Sequence, residues 1–198
     1  MGKRVFVSAD WKEPYDTASW DKSVVDRIRQ WTTDNRRNIE ISCTDDVHNS
    51  VLDKSDCRRC DIKGECGSRI DWSSIVILVI GDNTKDKGAG VCDAVSCSPA
   101  YSGLQKKDCK YTTSPAEATA ESGLKGGNKM SYLEFEIKKA IDSRKKIIVV
   151  YNSVYNQEQW LPTWYNARTL GLELCRVPFW KDERGGTDCY HDIKEHLQ

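Results

Sequence analysis

Eight residues from Ser74 to Gly81, SIVILVIG, constrain the fold more than any other stretch of this chain. The run is continuously apolar, largely β-branched and bounded by turn-forming residues. A strand with one wet face alternates apolar and polar side chains. A run that does not alternate is buried on both faces, as in the middle of a parallel sheet.

The other segments supply what such a sheet needs. Val5, Phe6 and Val7 make a short buried strand within Lys3 to Asp10. Trp20, Val24, Ile28 and Trp31 recur at spacings of four, four and three, which predicts a helix from Trp20 to Asp34. Ile39 to Cys43 alternates as a second strand, and Gly67 to Ser73 reads as the end of a helix beginning near Ser55. A helix after Met130 leads into a strand from Lys146 to Tyr151. Cys175 to Trp180 fits an edge strand, where Pro178 is tolerated, and Asp188 to Leu197 closes the chain as a helix. Strands alternating with helices predict an α/β, doubly wound parallel sheet in a single domain, residues 1–198. The stretch 85–129 is a long insertion rich in Gly, Ser, Thr and Lys, with three cysteines and no periodicity. An excursion of that length is either functional or disordered.

Charge and hydropathy narrow the function classes. Lys plus Arg and Asp plus Glu both total 30, so the formal net charge is zero. That balance gives no electrostatic case for nucleic acid or a membrane surface as partner. Ile75 to Ile80, the longest apolar run, is too short to span a bilayer. The first strand begins almost at once, leaving no room for a signal peptide. Gly2 does not suit myristoylation, because Phe6 stands where Ser or Thr is needed. The expectation is a soluble, cytoplasmic protein.

The helix after Met130 carries the candidate for chemistry. On a helical wheel Leu133, Ile137, Ala140 and Ile141 share one apolar arc, and Glu136 flanks it, one turn after Tyr132. A plainer role is open to Glu134 and Glu136 alike, complementing the positive end of the helix dipole. In doubly wound sheets, however, ligands bind beyond the carboxyl ends of the strands. Ser8 to Trp11, Thr44 to His48, Gly81 to Thr84 and the start of the Glu136 helix would all gather at that edge. The candidate substrate edge is therefore Ser8, Ala9, Asp10, Trp11, Asp46, Gly81, Asn83 and Tyr132, with Glu136 as the candidate for chemistry beside it.

The succession KRVFVSAD, IVILVIGDNT, SYLEFEIKKAI and KKIIVVYN resembles the TIR-like proteins, in the bacterial branch of Thoeris-type anti-phage defence. The resemblance covers roughly residues 3–152 and includes the aromatic-aliphatic-x-x-Glu opening of a helix, here Tyr132 to Glu136. It implies a flavodoxin-like, TIR-type fold and cleavage of the nicotinamide–ribose bond of NAD+. It further implies a product, commonly a cyclised ADP-ribose, that reaches a separate effector protein as a diffusible messenger, and self-association on activation. By the same resemblance Glu136 is catalytic and Trp11 or Tyr132 stacks on a base. Ser8, Asp10 and Asn83 would bond ribose or phosphate oxygens, helped by backbone N–H groups after Gly81. A single carboxylate on this fold also resembles nucleoside deoxyribosyltransferases, where Glu attacks a sugar directly. A non-catalytic scaffold that only assembles with like domains is the third reading.

Nine cysteines, an odd number, argue against a secreted disulfide framework. Cys57, Cys60 and Cys66 are spaced C-x2-C-x5-C, with Cys92 and Cys97 downstream. The C-x2-C pair is a zinc half-site, since both thiolates can reach one ion across a turn. A structural zinc on Cys57, Cys60, Cys66 and Cys92 stands beside the plainer expectation of reduced, unlinked thiols.

Overall fold

The computed structural model describes residues 3–9, 20–33, 39–43, 59–80, 130–152 and 174–180, with residues 193, 196 and 197. Its elements are β1 (Lys3–Ser8), α1 (Trp20–Thr33), β2 (Ile39–Cys43), α2 (Arg59–Trp72), β3 (Ile75–Ile80), α3 (Tyr132–Asp142), β4 (Lys146–Asn152) and β5 (Leu174–Trp180). Five strands form one sheet in the order β2-β1-β3-β4-β5, and every neighbouring pair is parallel. This is the flavodoxin-like strand order. The chain steps outward from β1 to β2, then crosses back to β3, so the order reverses between β1 and β3.

The uninterrupted apolar run of β3 divides between the two faces of the sheet. Ile75, Ile77 and Val79 join Val5, Val7, Ile148 and Val150 in one buried cluster. Val76, Leu78 and Ile80 join Phe6, Ile147 and Val149 in the other. Register aligns these rows across the strands, with Val5 beside Ile75 and Ile77 beside Ile148. A period of two thus fills both sides of the sheet, which is why no polar residue interrupts it.

Helices cover both faces. Val24, Val25, Ile28 and Trp31 of α1 lie on the first, with Ile193 and Leu197 from the helical residues near the C-terminus. Ile62, Cys66 and Ile70 of α2 lie on the second with Leu133, Ile137 and Ala140 of α3. The predicted edge strand is β5, at the margin of the sheet, with Pro178 opposite Tyr151. Residues 55–58 and the insertion 85–129 lie outside the described residues. No helix among the described residues is long and apolar enough to cross a membrane.

Two departures from the helical-wheel reading concern α3. Phe135, outside the expected apolar arc, is fully buried, and so is most of the Lys139 side chain. A single-arc helix would leave both in water. Instead α2 lies alongside α3 and is tied to it at both ends. At the start, the Lys63 ammonium donates to the Met130 carbonyl and sits 5.8 Å from the centroid of the Tyr132 ring. At the far end Asp71 takes an ion pair from Lys139 at 2.8 Å and a hydrogen bond from Ser143 at 2.7 Å. The Lys145 ammonium donates to the Asp71 carbonyl. The lysines that look like surface residues in sequence are spent on this helix pair.

Candidate active site

The first turn of α3 is set by Ser131, whose hydroxyl accepts the Glu134 backbone N–H at 3.1 Å, an N-cap with extended backbone. One turn later the helix carries Glu136 inward. Its side chain is 1% exposed. Glu134, two residues earlier and some 200° around the helix, faces the other way. Its side chain is 31% exposed and its carboxylate pairs with Lys138 at 3.0 Å. The two acidic residues are therefore distinct: one forms a solvated helix pair, the other is a carboxylate held in the interior.

A buried carboxylate needs donors, because burial without them costs several kcal/mol, on the order of the desolvation of an ion. One is supplied by another element. Ser8 Oγ donates to Glu136 Oε2 at 2.6 Å. Ser8 ends β1 two residues after Phe6 and so shares its face, toward α2 and α3. Cys66 of α2, fully buried in the cluster that holds Leu133 and Ile137, lies on the same side of α3. Burial above all, and then the negative charge and hydrogen bond of Glu136, push the Cys66 thiol well above its ordinary value, with Arg69 opposing and Glu65 adding to the shift. The fold thus favours the protonated thiol at Cys66.

Strand, neighbouring helix and own helix therefore converge on one carboxylate at the carboxyl end of β1, beside the point where strand order reverses. Chemically, a carboxylate so held can face a developing positive charge. Ser8 donates its only proton to Glu136. What it has left are acceptor lone pairs, which suit a sugar hydroxyl and not a phosphate oxygen.

The other expected residues fall in different places. Ala9 belongs to the cluster on the α1 side of the sheet, so its side chain faces away from Glu136. Tyr132 is half-buried at the start of α3, packed against the same cluster as Cys66 and under the Lys63 ammonium. Asp10, Trp11, Asp46, Gly81 and Asn83 lie outside the described residues, as do Cys57 and Cys92. Cys60 is in α2, but its side chain is not described. Among the described residues no group of three or more His, Cys, Asp or Glu side chains is placed to hold a metal ion. The surroundings of Cys66 favour the thiol over the thiolate that zinc would bind.

Lys63 and Cys66 are the two site residues whose roles a reading of the sequence misses. For Cys66 a signal exists: Ile62, Cys66 and Ile70 recur every four residues, the stripe of a helix face. For Lys63 none exists, because its partners lie nearly seventy residues away.

No protein-family model matches the chain, and no curated protein does. Among solved structures it is similar to a de novo designed Rossmann 2x3 fold protein determined by solution NMR. The identity is 13%, over 90% of this chain and 79% of that one, with a TM-score of 0.33. A likeness that loose bears no argument, and the parallel α/β fold rests on strand order and register.

Proposed function

We propose that this chain is a TIR-like enzyme of anti-phage immunity that cleaves NAD+ between nicotinamide and ribose, with Glu136 as the catalytic carboxylate. One observation carries the reading: an interior carboxylate on α3 is held by the last residue of β1, at the carboxyl edge where the strand order reverses. As the C–N bond breaks, its electron pair returns to the pyridinium nitrogen and nicotinamide leaves neutral. Positive charge develops at the anomeric carbon and ring oxygen of the ribose. A fixed anion opposite that charge is stronger in the transition state than in the ground state, which is what lowers a barrier. The Ser8 oxygen offers the ribose hydroxyls an acceptor. Water then completes a hydrolysis, or a nucleophile within the same ADP-ribose completes a cyclisation. The product would reach a separate effector as a diffusible nucleotide, and activation would involve self-association.

The test is incubation of wild type and Glu136→Gln with NAD+ at high protein concentration, followed by chromatography of nicotinamide and the ADP-ribose species. Nicotinamide release by wild type alone is expected. Equal release by both proteins would remove Glu136 from the mechanism. Base exchange on deoxynucleosides with NAD+ left intact would instead make the protein a deoxyribosyltransferase.

A structural zinc on Cys57, Cys60, Cys66 and Cys92 is a separate proposal. It requires Cys66 to bind as the thiolate, and it predicts near-stoichiometric metal in the purified protein.

A further inference from the structure

Resting on the reading of Glu136 as the reacting carboxylate, we infer that Lys63 is a positioning residue, which fixes the Tyr132 ring beside the departing nicotinamide. Lysine is almost never fully buried without partners, because taking an ammonium out of water is costly. Lys63 of α2 is fully buried. Its ammonium donates to the carbonyl of Met130, the residue before the N-cap Ser131. It also lies over the Tyr132 ring, 5.8 Å from the centroid, where the negative face of an aromatic ring attracts a cation. Two bonds of the same turn, from the Glu134 and Phe135 N–H groups to the Ser131 hydroxyl and carbonyl, lie within α3. They shape the turn without locating it. Lys63 reaches it from another element and locates both its backbone and its ring.

Tyr132 stands one helical turn before Glu136, so their Cβ atoms are about 5–6 Å apart. In NAD+ the pyridinium nitrogen is bonded to the anomeric carbon, which Glu136 faces in the proposed cleavage. A ring one turn from the carboxylate therefore stands by the leaving base, while adenine is at the far end of the dinucleotide. Tyr132 is partly buried, so part of its side chain stays open to a ligand. Holding a stacking ring in place aids ground state and transition state alike, so its loss is read in KM.

Kinetics of full-chain variants test this. Lys63→Met keeps an unbranched side chain of similar length and removes the charge. It should raise KM for NAD+ and the inhibition constant of nicotinamide together, about fivefold to tenfold, with kcat and the inhibition constant of ADP-ribose within about twofold. A fall in kcat at unchanged KM would make Lys63 a support of the carboxylate helix and overturn the inference. Tyr132→Leu should raise KM at least as far, and adding Lys63→Met to it should change little further. Additive losses would show that Lys63 acts apart from the ring. Tyr132→Phe keeps the ring face and should retain a KM near that of wild type. Should Lys63→Met fail to fold, the two Tyr132 variants decide, since equal KM values for them would remove the ring from the leaving-base site. Asp71→Asn loosens the other end of the α2–α3 pair and should leave these constants unchanged; an equal rise there would reduce Lys63 to a structural tie. Fluorotyrosine NMR reads the contact without activity. The resonance that Tyr132→Phe removes should move in Lys63→Met, and an unmoved resonance would overturn the placement of the ring. If wild type neither binds nor cleaves NAD+, the proposed function fails and the substrate role of Lys63 with it, while the fluorine spectrum still decides whether Lys63 holds the ring.

Discussion

The hydroxyl of Ser8 donates to the carboxylate of Glu136 across 2.6 Å, joining positions 128 residues apart. That distance lies in the range for a hydroxyl bonded to an ionised oxygen. It links the carboxyl end of β1 to a helix already tied to α2 at Lys63 and at Asp71. The carboxylate is consequently located by the frame of the domain and not by its own helix alone.

Stability measurements distinguish a carboxylate kept for chemistry from one kept for structure. Glu136→Gln preserves shape and an acceptor for Ser8 while removing a buried charge. It should leave stability within about 1 kcal/mol of wild type or raise it, as removing costly functional charge commonly does. Glu136→Ala leaves the Ser8 hydroxyl without this acceptor beside a cavity and should cost about 2–4 kcal/mol. Urea unfolding of both variants reads the difference. A Gln variant destabilised by more than about 2 kcal/mol would mark Glu136 as a structural knot.

Much of this architecture is legible in the residues because its causes are local. The apolar run of β3 reports burial on two faces, and the spacing of Val24, Ile28 and Trp31 reports a helix with one buried side. The position of Glu136 beside the apolar arc is readable as well, and its neighbour Glu134 is separated from it only by a wheel. The rest depends on contacts between distant segments. Phe135 is buried, although periodicity puts it opposite the core arc. Cys66 suggests a metal ligand by its spacing from Cys60, yet its helical stripe with Ile62 and Ile70 turns it toward Glu136. Lys63 and Lys139 look solvated in sequence and are buried because α2 and α3 each supply the other's partners.

The raised Cys66 value has a sign that alkaline unfolding can check. In the unfolded chain the thiol ionises near its ordinary value of about 8.5, while in the fold it stays protonated to higher pH. Above about pH 8.5 the unfolded state therefore binds fewer protons, and stability falls as pH rises. The slope approaches about 1.4 kcal/mol per pH unit for this one group. Cys66→Ser removes that contribution and leaves those of the other cysteines in place. Relative to wild type, it should gain stability between about pH 7 and pH 9.5. Equal pH slopes for the two proteins would mean that the thiol is not held protonated by the fold.

Asp71 contributes at the opposite end of the pH scale. Partial burial opposes its ionisation, but hydrogen bonds from Lys139 and Ser143 and the charges of Lys139 and Lys145 outweigh it and hold the carboxyl below its ordinary value. A depressed carboxylate stabilises the fold above the unfolded value, about 3.9, and loses that effect as pH falls through the folded one. The group is half exposed, so Asp71→Asn should cost only about 0.5–1 kcal/mol at neutral pH. The difference from wild type should shrink in about 1 M salt and vanish once the pH has fallen through the lowered folded value, where both side chains are neutral. A cost that persists unchanged in acid would assign the effect to the neutral hydrogen bonds.

Arg144 offers a stabilising substitution far from the chemistry. α3 ends with Lys145 N–H bonded to the Ala140 carbonyl and Arg144 N–H to that of Ile141, both at 2.9 Å, the paired bonds of a Schellman cap. The cap requires a left-handed residue, and Arg144 occupies it at φ 51°. A side chain costs about 1–2 kcal/mol there, which glycine avoids at some expense in unfolded-chain entropy. Arg144→Gly should therefore raise stability by about 0.5–1 kcal/mol, while Arg144→Val, β-branched and poorly suited to positive φ, should lower it. Thermal unfolding of the two variants measures the contrast. Arg144 stands two turns beyond Glu136, so any NAD+ cleavage by the glycine variant should match wild type; a large loss would show that the end of α3 is coupled to the carboxylate at its start.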